Sequence, residues 1–371
     1  MKFWTYTIML LTVLLALFGV LVIANAGKTQ SADVMHHFFM QLFYFGIAIV
    51  GAFILYRMDY HFYRKPAVLW TLAIVMVLSL TLVLVPGVGK AVKGSLRWIR
   101  IGPLSVQPIE FVKLMMVIFM AAYYEVIGGR VQRWWHGVIL PALVLAAVAG
   151  LLVCQPDFGG TAIVCCLAGM TMLLAGVGWW RCLCLAVPAL LAIALLVMTN
   201  ENRMRRLTNE QNDENYQAKQ SRIAFQNGGI MGVGLGRGMQ KENYLPECHT
   251  DFIFAVIGED FGLVATATVW GVFILLLSGG SVIAFRAKDK QGMLLAFGST
   301  MMICAQSAAN MAVVTNVTIT KGLALPFLSY GGSCLLSSFF ATGVLLSVAR
   351  KTIELEEEDA KPLSKKVVSF D

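Results

Sequence analysis

Residues 244–260 read YLPECHTDFIFAVIGED. The stretch opens polar, with Pro246, Glu247, His249, Thr250 and Asp251, and then runs unbroken into the apolar residues 252–257. An acid therefore stands where an exposed loop enters an apolar helix, and Glu259 and Asp260 follow one to two turns deeper. Outward from this edge, 58% of the 371 residues are hydrophobic and 13% are charged. A soluble domain carries about 25% charged residues. The deficit is concentrated in long runs, so the expected fold is an all-α polytopic membrane protein.

Ten windows are long enough to cross ~30 Å of hydrocarbon, which takes ~20 helical residues. They are 3–26, 36–56, 67–87, 107–124, 137–153, 159–180, 182–199, 252–279, 291–316 and 329–349. Little more than Arg181 separates the sixth from the seventh. The expected organisation is one ten-helix domain over 1–351, with a large outer loop at 200–251 between helices 7 and 8. A charged tail at 352–371 follows, mobile from Glu354 onward. With the N-terminus inside, the cytoplasmic segments hold fifteen Lys and Arg, the short outer loops six and the long loop seven. The positive-inside bias then places both termini in the cytoplasm. Ala24-Asn25-Ala26 resembles a signal-peptidase site, but the run before it exceeds a usual signal core, so a retained helix is expected.

The net charge of +8 fits cytoplasmic loops facing anionic lipid and argues against nucleic acid as a partner. The eight cysteines form no CxxC pair and read as small core hydrophobes rather than a metal or disulfide framework. No organic cofactor is implied.

Four charged residues fall inside the windows: Glu110, Lys113, Glu259 and Asp260. A charge at mid-helix costs ~2.5–3.5 kcal/mol on insertion scales, so each needs a partner or a polar cavity. Glu110 and Lys113 share a helix face, either as a self-neutralising pair or as a cavity wall. Arg97, Arg100 and Lys113 together offer donors to a phosphate, while Arg97 and Trp98 also suit simple interfacial anchoring. Asp157 suits an N-cap of the sixth helix. The run 228–238, with glycine at 228, 229, 232, 234, 236 and 238, lacks the strand and the Gly-Lys-Ser of a phosphate loop and reads as a mobile lid. Asp251 fits two roles, an N-cap of the eighth helix or a general base at the membrane surface. Pro326 and Gly331-Gly332 break helix geometry at membrane depth, which requires protein or a watery cavity alongside. An outer cavity ringed by 97–113, 155–157, 244–260 and 321–333 is expected.

Four stretches carry a resemblance: RWIRIGPLSVQPIEFVKL at 97–114, QPDFGGTA at 155–162, NGGIMGVGLGRGMQKENYLPECHTDFIFAVIGEDFG at 227–262 and TKGLALPFLSYGGS at 320–333. They resemble the SEDS family (shape, elongation, division and sporulation), and its FtsW and SpoVE branch more than its RodA branch. The resemblance implies a peptidoglycan glycosyltransferase that joins lipid II units into glycan strands on the outer face of the bacterial cytoplasmic membrane, at the division septum. It places the family's essential acid on Asp251 and positions important for activity on Arg97, Glu110, Lys113 and Glu247, with His249 alongside as a substrate contact. Ile109, Cys248, Asp260 and Ala324 depart from the family pattern, and Ile109 removes a hydroxyl near Glu110. A divalent cation, Mg or Mn, is an expected cofactor, with Glu110 and Asp251 as candidate ligands. Expected partners are lipid II, a class B penicillin-binding protein transpeptidase, other divisome membrane proteins and membrane lipid. The competing readings are a RodA-like polymerase in cell elongation, a lipid II flippase lined by Glu110, Lys113 and Glu259, and a division scaffold without activity.

Overall fold

A computed structural model describes residues 1–25, 32–92, 95–102, 104–198, 216–240, 244–318 and 322–359. Each of the ten apolar windows holds a helix: α1 Lys2–Asn25, α2 Ala32–Arg57, α3 Pro66–Leu84, α4 Pro108–Ile127, α5 Leu140–Cys154, α6 Phe158–Leu174, α7 Trp179–Met198, α9 Ile253–Arg286, α10 Lys290–Val314 and α11 Gly332–Asp359. A further helix, α8, covers 216–228 between α7 and α9. Eight of these helices, all but α6, α7 and α8, are long and apolar enough among the described residues to span a membrane. The Asn-, Gln- and Arg-rich start of the long loop, Ala26 of the cleavage-like triplet, Lys321 and the tail beyond Asp359 lie outside the described residues.

Local chemistry sets the helix ends. Proline occupies the first turn of α3, α4 and α5, where its missing N–H costs nothing. Asp157 caps α6 by accepting the N–H of Gly160, and Asp289 caps α10 by accepting that of Gly292. The break between α6 and α7 falls at 175–178, not at Arg181. Gly176 takes the left-handed conformation, φ 90°, that ends a helix and disfavours a side chain. Arg181 instead lies in the first turn of α7, donating to Gln132 at 3.0 Å. At the other end of the chain, α11 runs through 352–359 as regular helix, held by Arg350 on Glu354 at 2.8 Å in the i,i+4 geometry.

Helices α4, α10 and α11 form the centre, and small residues let their neighbours close on them. The α-carbon of Gly343 on α11 meets the backbone of α2, where an added methyl would lie 2.5 Å from the Ala52 carbonyl oxygen. Gly280 on α9 admits Thr300 of α10, and Gly298 on α10 admits Val117 of α4. Gly343→Val is expected to destabilise the bundle by about 1–3 kcal/mol, because backbone cannot yield as a flexible side chain can. Thermal unfolding in detergent, compared with Gly150→Val at a position open on all sides, checks this.

The two faces of the bundle differ. On one, Lys2 pairs with Glu357 at 2.8 Å and Lys288 with Asp359 at 3.1 Å. There Arg64 binds Asp289, Tyr60 donates to Asp289 at 2.7 Å, and Arg350 donates to the carbonyls of Tyr56 and Arg57. Glu125 at the end of α4 accepts the N–H of Gln291 at 3.0 Å, and Arg181 reaches Gln132 beyond it, so the described loops assigned to the inside by their Lys and Arg content gather on one face. The opposite face carries an element not foreseen in an all-α fold, a three-stranded antiparallel sheet between α3 and α4. Its strands are β1 Gly89–Val92, β2 Ser95–Ile101 and β3 Leu104–Val106, in the order β1-β2-β3. Pairing sets Gly89 opposite Ile99 and Arg100 opposite Ser105. Strand alternation sends Arg97 and Arg100 to opposite faces.

Helix α9 is two pieces. Gly262, at φ 75° and ψ −168°, interrupts it. The 24 residues 263–286 span ~36 Å at 1.5 Å each, enough for the hydrocarbon alone. Glu259 and Asp260 lie on the other, shorter piece, before the break. The glycine-rich run docks on this break. Val233 and Gly234 donate to the carbonyls of Glu259 and Asp260, and Leu263 and Val264 donate to those of Gly229 and Ile230. Backbone groups orphaned by the break are thereby satisfied. The run is a clasp on α9 and not a lid over a substrate. Side chains at Gly228 and Gly232 would strike the α9 backbone, which is why the run needs glycine there.

Candidate active site

A cavity of about 760 Å³ opens on the sheet-bearing face, within the range of small-molecule sites. The four expected segments line it, through Arg97, Trp98, Glu110, Lys113, Asp157, Glu247, Asp251 and Gly322, among others. Tyr216 and Gln217 of α8 join them. Two expected contributors are not on its wall. Arg100 turns away, donating to the Gly102 carbonyl at 3.2 Å. His249 packs its ring 5.3 Å from that of His37, with Nδ1 3.1 Å from the Cys248 sulfur.

A tight turn delivers Asp251. Glu247 adopts a left-handed backbone, φ 58°, uncommon for a residue with a side chain. Its carbonyl accepts the N–H of Thr250 at 3.1 Å and of Phe252 at 3.2 Å. Its carboxylate accepts the Thr250 hydroxyl at 2.8 Å. The cap of α9 is Phe252, whose side chain makes no cap hydrogen bond. The N-cap reading of Asp251 is thus set aside. Its carboxylate lies instead against the chain at Gly322, where a methyl would sit 2.8 Å from Oδ2.

Arg97, projecting from β2, donates to the Pro156 carbonyl at 2.5 Å, with Asp157 at 3.8 Å. Asp157 thus serves both as the α6 cap and as a neighbour of the guanidinium. Deeper, Lys113 is 1% exposed and Glu110 6%, so neither charge would be tolerated alone. The ammonium donates to Glu110 at 2.8 Å and to Gln306 at 2.5 Å. Ser337 donates to the other Glu110 oxygen at 3.3 Å and supplies a hydroxyl where Ile109 has none.

Glu259 and Asp260 do not line the cavity. Glu259 accepts the N–H groups of Met239 and Gln240 and the amide of Asn227, and Asp260 accepts those of Gly238 and Gly236. Backbone amides thus hold both carboxylates. Among the described residues no three of His, Cys, Asp and Glu converge on a point, and none of the eight cysteines is in a disulfide. Sequence reading missed Gln306 and Asn310 of α10. Their only signal was amide side chains one turn apart in an apolar run.

These features define a polytopic membrane protein with a charged cavity at one face. The family model described as cell cycle protein, covering FtsW, RodA and SpoVE, matches residues 5–354. A probable peptidoglycan glycosyltransferase FtsW from Trichlorobacter lovleyi is 37% identical, with 95% of this chain and 96% of the relative covered. Another from Coxiella burnetii is 36% identical, with 94% and 97% covered. Among solved structures, a chain of a peptidoglycan synthase complex that coordinates polymerization and crosslinking superposes with a TM-score of 0.74 at 26% identity, covering 94% of this chain and 98% of that one. The rod shape determining protein RodA of Thermus thermophilus superposes at 0.70 and 26%, covering 94% and 97%. The chain belongs to the FtsW, RodA and SpoVE family.

Proposed function

We propose that this chain is a peptidoglycan glycosyltransferase of the FtsW kind, polymerising lipid II with release of undecaprenyl pyrophosphate during cell division. The observation that carries the reading is the shared cavity, lined together by Asp251, Lys113 and Arg97. Lipid II brings a sugar, a pyrophosphate and a lipid tail to one boundary, and the cavity lies on such a boundary. Asp251 takes the proton of the acceptor sugar's 4-hydroxyl. The freed oxygen attacks the anomeric carbon of the growing strand, and the bond from that carbon to the phosphate oxygen breaks. The leaving undecaprenyl pyrophosphate carries the electron pair. Arg97 and Lys113 stabilise the charge that grows there, and Glu247 shapes the turn behind the base.

The donor set bears on the divalent cation. Lys113 occupies Glu110, so Mg²⁺ or Mn²⁺ would bind through Asp251 and the substrate's own phosphates, as Mg²⁺ commonly does. Once bound, it would neutralise phosphate charge. The Lys- and Arg-rich face is assigned to the cytoplasm together with both chain ends, and the cavity face to the outside, at the septum. The structural likeness to a chain of a polymerising and crosslinking complex supports a class B penicillin-binding protein as partner, with other divisome membrane proteins around it.

The test is glycan synthesis from purified lipid II by this protein with its cognate transpeptidase. Polymer from the wild type and none from a folded Asp251→Asn variant is expected. Lipid II translocation across vesicles without polymer would put a flippase in its place. The position of Glu259 weakens that alternative, since its carboxylate is taken up by the clasp.

A further inference from the structure

Two buried amides on α10, Gln306 at 2% exposed and Asn310 at 1%, stand one helical turn apart on one face. Gln306 accepts the Lys113 ammonium at 2.5 Å and donates to the Ala324 carbonyl at 2.9 Å. Asn310 donates to the Asp251 carbonyl at 2.7 Å and to the Leu323 carbonyl at 2.5 Å. The segment 322–324, whose Gly322 lies against the Asp251 carboxylate, is thus held by both. The Oδ1 of Asn310 is buried without a partner among the described residues. Leaving a buried acceptor unpaired is costly, and an apolar residue would avoid that cost. What the amide supplies in return is its two N–H groups.

Resting on the proposed role of Asp251 and Lys113, we infer that Gln306 and Asn310 are positioning residues that fix the base and the phosphate-binding cation relative to each other. Asn310 sets the backbone of the base. Gln306 sets the direction of the ammonium, and being neutral it orients that charge without cancelling it. A carboxylate at 306 would add a second acid beside Lys113, after Glu110, and draw its charge away from the pyrophosphate. A carboxylate at 310 would face two carbonyl oxygens with no hydrogen to give. Both amides grip 322–324, so the two halves of the site are carried by one helix face. Their separation along α10 is ~6 Å.

The experiment uses the full chain with its transpeptidase partner, purified lipid II, and rates normalised to the folded fraction from thermal unfolding. Asn310→Ala is expected to lower kcat on the order of 10²-fold with KM unchanged, the effect of a ~1 Å misplacement. Asn310→Ser, which restores one donor, is expected to recover part of that loss. Gln306→Glu, of the same shape, is expected to raise KM about tenfold, the mark of lost binding to the pyrophosphate. A merely structural pair would lower the folded fraction and leave kcat and KM of the folded molecules as in the wild type. That outcome, with Asp251→Asn inactive alongside, overturns this inference alone. An active Asp251→Asn overturns the reading of the site and this inference with it. If Asn310→Ala does not accumulate, the serine variant and the isosteric Gln306→Glu decide the question.

Discussion

Asp251→Asn is expected to leave the protein folded and to remove polymerisation, lowering the rate by ~10²–10⁴-fold, the usual worth of a positioned general base. The cap of α9 is Phe252, so the helix start does not rest on this carboxylate. The backbone contribution of residue 251 is a carbonyl that accepts from Asn310, and asparagine presents the same carbonyl. The substitution keeps the shape of the side chain and removes its negative charge together with its capacity to take up a proton. Equal melting temperatures with loss of product place the carboxylate in the chemistry rather than in the fold. Equal activity would mean that some other group takes the proton. A fall in melting temperature with activity kept per folded molecule would return Asp251 to a structural role.

Lys113→Met is expected to cost about 3–5 kcal/mol of stability, because it leaves Glu110 buried without its cation. Glu110 keeps the hydroxyl of Ser337, and one neutral donor does not replace an ammonium. Adding Glu110→Leu should recover most of the lost stability, since apolar replacement of a whole buried pair is often neutral. Activity should return in neither. Unfolding midpoints and polymer yields of the two variants, beside the wild type, separate the two contributions of the lysine. A stable single variant would mean that water reaches Glu110. An active double variant would remove Lys113 from the chemistry and leave Arg97 to meet the pyrophosphate.

The helices were legible because the energetic demand on a membrane span is simple and local. A run of apolar residues of sufficient length, with proline and aspartate at its start, needs no tertiary context to be read. The same holds for Asp157, whose capping role follows from its place before 158–174. Charges in apolar runs pointed to Glu110 and Lys113 because such residues must find partners. Other features depended on contacts between distant segments. The strand at 95–101 is short and carries two arginines, so it read as an interfacial loop, and only its pairing shows that Arg100 faces away from Arg97. The docking of 228–238 depends on a helix break at Gly262 that glycine permits but does not announce. Glu259 and Asp260 therefore read as charges in lipid, when backbone amides already held them. Gln306 and Asn310 carry no charge, and a neutral amide in an apolar window raises no alarm.

The clasp on α9 has a consequence for amide hydrogen exchange. Exposed loops of small residues exchange quickly, and the run 228–240 has that composition. Yet its N–H groups at 233, 234, 238, 239 and 240 point at the carbonyls or carboxylates of Glu259 and Asp260. Their protection should follow the stability of α9 rather than that of a loop. In exchange measurements the segment would then appear as part of the helix it grips, opening only when the helix opens. Glu259→Gln, which weakens the grip at one carboxylate, should release the amides of 239 and 240 ahead of the others.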